Sequence, residues 1–96
     1  MTSAPAMKTY HYIVKGRVQG VSFRYYTQRA AYRLGVTGTV KNLYNGDVEV
    51  YAQGEQEAIK EFEAFLNKGP GAARIQQVIR EEFEDNYEYP DFEITF

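Results

Sequence analysis

The chain reads as short apolar runs divided by turn-forming residues. A β-branched and aromatic run at residues 10–14 predicts a first strand, spanning 8–15. From Phe23 the period changes. Phe23, Tyr26, Thr27, Ala30, Ala31 and Leu34 recur at helical spacing in one stripe, so Phe23–Leu34 should be a helix with one buried face. Gly35 follows, where a helix end favours positive φ. Residues 36–42 and 47–53 read as strands flanking Asn45-Gly46, a strong hairpin signal. Residues 55–66 read as a second helix, with Ala58, Ile59, Phe62, Phe65 and Leu66 on one face and acids in the first turn. Gly69-Pro70-Gly71 breaks it; residues 75–83 predict a fourth strand and 92–96 a short fifth. The expected class is α+β, of order βαββαβ plus a short C-terminal strand: one antiparallel sheet with two helices on one face.

A length of 96 residues supports one domain, expected at 8–96 behind a flexible tail at 1–7. The hydrophobic content of 44% and aromatic content of 16% favour a folded globule over disorder. The lack of cysteine excludes disulfides, thiolate zinc sites and a cysteine nucleophile. No long apolar run suggests a membrane span. The opening Met-Thr-Ser-Ala-Pro-Ala has neither the charged nor the apolar region of a signal peptide, so a cytoplasmic location is expected.

Between the first strand and the first helix lies Gly16-Arg17-Val18-Gln19-Gly20-Val21-Ser22-Phe23-Arg24. Glycines at such a turn let backbone N–H groups curl around one point, and the helix N-terminus adds partial positive charge. Arg24 at the mouth offers a planar fork suited to phosphate oxygens. Yet such turns are common, and Arg24 fits a solvated first-turn residue as well. The stretch is neither a Walker loop nor a Gly-x-Gly-x-x-Gly fingerprint.

The net charge of −2 conceals a strong asymmetry. Residues 1–46 contain no Asp or Glu but carry Lys8, Lys15, Arg17, Arg24, Arg29, Arg33 and Lys41; residues 47–96 hold all 13 acids. A local positive field for an anionic ligand is one reading, with Arg17, Arg24 and Lys41 near the loop. A solvated basic helix face, with Arg29 and Arg33 four apart, is the other.

Alternation in the second strand places Val36, Gly38, Val40 and Asn42 on one face, and Thr39 and Lys41 on the other. Asn42 thus ends a core-facing row, where an amide needs partners. It either caps the approach to the Asn45-Gly46 turn or aims into the anion site, holding a water or an oxygen.

Other chemistry is sparse. His11 is the only histidine and sits mid-strand; Ser3 and Ser22 have no neighbouring histidine to activate them. Glu81, Glu82, Glu84, Asp85, Glu88, Asp91 and Glu93 read as a solvated face without metal-ligand spacing. An enzyme so equipped would work by positioning and charge stabilisation, which suits phosphoryl transfer from a good leaving group.

Residues 16–24 resemble the first acylphosphatase signature, Gly-x-Val-Gln-Gly-Val-x-Phe-Arg. Gly38-Thr39-Val40-Lys41-Asn42, followed by Gly46, Val48 and Gly54, resembles the second in residues and spacing. The resemblance covers about residues 8–96. It implies a small stand-alone acylphosphatase with a ferredoxin-like sandwich fold, hydrolysing small acyl phosphates to a carboxylate and inorganic phosphate. It further implies that Arg24 binds the phosphate and Asn42 orients the attacking water. The backbone amides of Val18, Gln19, Gly20, Val21, Ser22 and Phe23 would form the cradle. No metal or cofactor is expected, nor a nucleic-acid or membrane partner, and a monomer is expected.

Thr39 departs from the family, which usually has an aromatic there. Because Thr39 faces away from Asn42, altered packing is expected rather than lost chemistry. Two rival readings remain. One is an accessory acylphosphatase-like phosphate-binding domain. The other is an RNA-binding ferredoxin-like module, with Tyr10, Tyr12 and Tyr51 as a stacking platform. Were the last strand to end near the loop, the terminal carboxylate of Phe96 could pair with Arg24.

Overall fold

Seven elements follow one another: β1 (Met7–Arg17), α1 (Phe23–Leu34), β2 (Thr37–Asn42), β3 (Val48–Gln53), α2 (Gln56–Lys68), β4 (Arg74–Asp85) and β5 (Phe92–Thr95). This computed structural model describes residues 7–20 and 22–96. Residues 1–6 of the expected tail lie outside them. α1 has the bounds its periodicity predicts. β4 is longer than predicted because it pairs with β1 along its whole length, out to Met7 opposite Asp85.

The strands form one sheet in the order β4-β1-β3-β2-β5. β1 runs antiparallel to β3 and β4, and β2 antiparallel to β3, but β5 lies parallel to β2. The sheet is therefore mixed, where an antiparallel one was expected. The cause is topological: β4 holds one edge, so the chain crosses to the other edge before adding β5. Residues after β4 are anchored on the way. The buried Gln53 amide donates to Thr9 Oγ1 (2.8 Å) and to the Tyr87 carbonyl (2.7 Å), and its Oε1 accepts from the Tyr89 N–H (3.0 Å).

Alternation sorts the strands into two faces. Tyr10, Tyr12 and Val14, Val40, Val48, Val50 and Ala52, and Phe92 share one core cluster with Phe23 and Ala31 of α1 and Ile59, Phe62 and Leu66 of α2. Both helices thus cover that face. Burial of each large side chain contributes roughly 1.5–3 kcal/mol, and the Phe62 ring sits edge-on to Phe92 at 5.9 Å. Tyr26, predicted to join the stripe, is instead exposed and meets the Tyr25 ring edge-on at 5.6 Å. The buried face of α1 narrows to Phe23, Thr27, Ala30 and Ala31. On the open face, His11 packs on Tyr51 and bonds Glu49 at 2.8 Å. Thr39 lies on this face too, opposite Tyr51 and beside Glu93.

Tyr12 is fully buried, and its hydroxyl donates to Glu63 at 2.8 Å. Burial, and then the bond to Glu63, hold its phenol well above the usual range. The unfolded chain releases this proton near pH 10 while the folded chain keeps it. Stability is thus fully present below about pH 10 and falls above it, by about 1.4 kcal/mol per pH unit for this one group. Tyr12→Phe should flatten the alkaline limb of the stability–pH curve by one proton's slope, as measured by urea unfolding at a series of pH values.

Candidate active site

Local geometry turns β1 sharply into α1. The β1–β4 register slips at Lys15/Gly16, and Gly16 has φ 136°. A Cβ there would lie 2.0 Å from the Arg74 carbonyl oxygen, so only glycine fits. Gly20 (φ 76°) and Ser22 (φ 61°, ψ 27°) then reverse the chain in the left-handed region. For serine that conformation costs of order 1 kcal/mol, the kind of local strain that clusters at functional sites. The Ser22 side chain caps nothing, and the first turn contains no acid. The first helical bond runs from the Tyr26 N–H to the Ser22 carbonyl at 3.1 Å, so earlier N–H groups lack helical partners. With the helix dipole, they favour an anion.

This turn opens onto a cavity of about 400 Å³ whose walls include Val18, Gly20, Ser22, Phe23, Arg24 and Asn42. Arg24 and Asn42, from different elements, are thereby brought to one space. Gln19 does not line it, and Val21 lies outside the described residues. Asn42 is half-buried, and its Oδ1 is buried without a hydrogen-bond partner among the described residues. Such orphaned acceptors are rare in folded proteins. Asn42 does end the core-facing row of β2, opposite Val48.

Arg24 is held from the far end of the chain. Its Nη1 donates to the Thr95 carbonyl at 3.2 Å, and its Cζ sits 4.7 Å from the centre of the Phe96 ring. The last strand thus does end near the loop, with the carbonyl and the ring making these contacts. Tyr25, Ile94 and Phe96 complete the cavity wall. Sequence reasoning passed over Tyr25, although it follows Arg24 in the first turn of α1, and could not place Ile94 or the Phe96 ring, because only the parallel seating of β5 on β2 brings residues 94–96 here.

Of the other cations, Arg17 sits opposite Arg74 and does not line the cavity, whereas Lys41 borders a neighbouring one. Tyr10 and Tyr12 are buried under the helices, and Tyr51 points to the opposite face, in register with His11. The three tyrosines therefore form no common stacking platform. Among the described residues no three His, Asp or Glu side chains gather as metal ligands, and no helix is long and apolar enough to cross a membrane.

The acylphosphatase family profile matches residues 10–94. The chain belongs to the acylphosphatase family. It is 47% identical over 89 residues to an acylphosphatase of Vibrio vulnificus, covering 93% of this chain and 98% of that protein. Its fold superposes on the crystal structure of acylphosphatase from Bacillus subtilis with a TM-score of 0.90 at 33% identity, covering 94% of this chain and 100% of the other. It also matches part of the crystal structure of T. kodakarensis HypF, with a TM-score of 0.83 at 34% identity, covering 93% of this chain but only 12% of that one.

In this acylphosphatase-family chain the loop and the hairpin are tied by a side chain. Gln19 Nε2 donates to the carbonyls of Leu43 (2.7 Å) and Asp47 (2.8 Å). Those residues bracket a five-residue turn, closed by Leu43 N–H to Asp47 carbonyl (2.9 Å) and Gly46 N–H to Leu43 carbonyl (3.2 Å). The buried Asp47 carboxylate accepts from Lys15 Nζ at 2.7 Å and from Asn45 Nδ2 at 3.1 Å. The Gln19 side chain thus fixes the turn that follows Asn42. Gln19→Ala should destabilise the fold by about 1–3 kcal/mol, seen as a lower urea midpoint at unchanged slope.

Proposed function

We propose that the protein hydrolyses the carboxyl–phosphate bond of small acyl phosphates, giving a carboxylate and inorganic phosphate, and works as a monomer without a metal. The observation that carries this reading is the convergence of Arg24 and Asn42 on the cavity lined by the start of α1. In this mechanism the Arg24 fork and the N–H groups of residues 18–23 bind the non-bridging phosphate oxygens. Their charge neutralises the loose transition state of phosphoryl transfer. Asn42 Oδ1 accepts a hydrogen bond from a water and aims its lone pair at phosphorus. The water oxygen bonds to phosphorus as the bond to the acyl oxygen breaks, and the electron pair leaves on the carboxylate. A phosphate oxygen of the substrate takes the water's proton. A carboxylate needs little acid assistance to leave, so the absence of a histidine from the cavity wall is no obstacle.

The test is hydrolysis of benzoyl phosphate by the purified protein with a chelator present. Turnover well above the spontaneous rate supports the reading. Phosphate binding without turnover would favour the accessory-domain alternative, for which the partial match to HypF offers a precedent in fold.

A further inference from the structure

The mechanism above uses one cation of α1 and leaves two. Arg29 and Arg33 stand exposed on a helix that contains no Asp or Glu. Among the described residues the lysines and arginines paired with carboxylates are Lys8, Lys15 and Arg80, so neither charge is neutralised. They also lead somewhere. Arg33, Arg29 and Tyr32 form the walls of a surface hollow of about 470 Å³. Arg29 Nη1 in turn donates to the Tyr25 hydroxyl at 3.0 Å, and Tyr25 is a wall residue of the cavity that Arg24 lines. A row of guanidinium groups without carboxylate partners thus runs from Arg33 through Arg29 to Arg24.

We infer that Arg29 and Arg33 are positioning residues, which draw the phosphate group of the substrate along α1 to Arg24. The inference rests on the phosphate-binding part of the reading above. The two follow Arg24 by five and nine residues, about 7.5 and 13.5 Å along the axis at roughly 1.5 Å per residue. At low salt both separations fall inside the screening length, which is about 30 Å at 0.01 M; at 1 M, where it is about 3 Å, neither does. Attraction between these two cations and a doubly charged phosphate then strengthens binding about fivefold at 0.01 M and less than about 1.5-fold at 1 M. The whole chain carries a net charge of −2 and repels an anion at long range, so the attraction has to be local.

The experiment measures the dissociation constant of inorganic phosphate by titration calorimetry, and KM and kcat for benzoyl phosphate, at about 0.01 M and about 1 M sodium chloride. The double variant Arg29→Gln/Arg33→Gln should weaken phosphate binding and raise KM about fivefold at the lower salt, and less than about 1.5-fold at the higher, without lowering kcat. Arg29→Lys/Arg33→Lys should restore the wild-type salt dependence, because the charge returns without the planar fork. Lys8→Gln/Lys60→Gln removes equal charge from the remote end of β1 and from α2, and should shift binding less than about twofold. An unchanged constant in Arg29→Gln/Arg33→Gln at low salt would overturn the inference. So would an equal loss at both salt concentrations, which would leave the arginines a structural role through Tyr25, a lysine pair that restores nothing, or a control pair that falls as far. A wild type that binds no phosphate would fail the underlying reading itself, before any variant is compared.

Discussion

Arg24→Ala should lower kcat/KM for benzoyl phosphate by about three to four orders of magnitude and weaken inhibition by inorganic phosphate at least about tenfold. Both readouts should fall together because, in the proposed mechanism, one guanidinium serves the ground-state phosphate and the more charge-dispersed transition state. The loss extends further than a deleted charge: the guanidinium also bonds the Thr95 carbonyl and stacks on Phe96. Arg24→Lys separates charge from shape. An ammonium keeps the charge but cannot bond two phosphate oxygens in a plane while also holding Thr95. A loss of about a hundredfold is therefore expected. Initial-rate kinetics with phosphate as competitor checks both variants, and near-wild-type activity in Arg24→Lys would show that only charge matters.

Asn42→Ala should behave differently. Its kcat should drop about a hundred- to a thousandfold, while inhibition by inorganic phosphate stays within about threefold, because the cradle and Arg24 are untouched. Stability should hold or rise slightly. Asn42 Oδ1 is buried without a partner among the described residues, so its removal relieves a desolvated acceptor rather than breaking a bond. Lost turnover at undiminished thermal midpoint is the pattern of a group retained for chemistry. Equal losses of kcat and phosphate affinity would instead assign Asn42 to the cradle.

Most of the architecture was legible because it depends on local periodicity. The spacing of Phe23, Thr27, Ala30 and Ala31 defines α1, and parity along β2 alone placed Asn42 at the end of the buried row. What was not legible depends on register between distant segments. Nothing near Phe92 says that it will lie parallel to Gly38, so the mixed sheet and the contacts of Arg24 with residues 95 and 96 emerge only in three dimensions. The separation of Tyr51 from Tyr10 and Tyr12 has the same origin. Tyr51 is in register with His11, not with Tyr10 or Tyr12, and that single offset sends it to the other face. The side chain of Gln19 escaped notice because its partners are main-chain carbonyls, which no residue type announces.

The seating of β5 has a further consequence, for synthesis of the chain on the ribosome. Arg24 is made early, but its carbonyl partner at Thr95 is 71 residues downstream. The loop, both helices and four strands can emerge before β5 does, with the guanidinium still unrestrained and the far edge of β2 open. The nascent chain thus has the β1–α1 loop long before it has the groups that steady Arg24. Arg24 can be steadied only once the final strand is seated, the same event that brings Phe92 into the core.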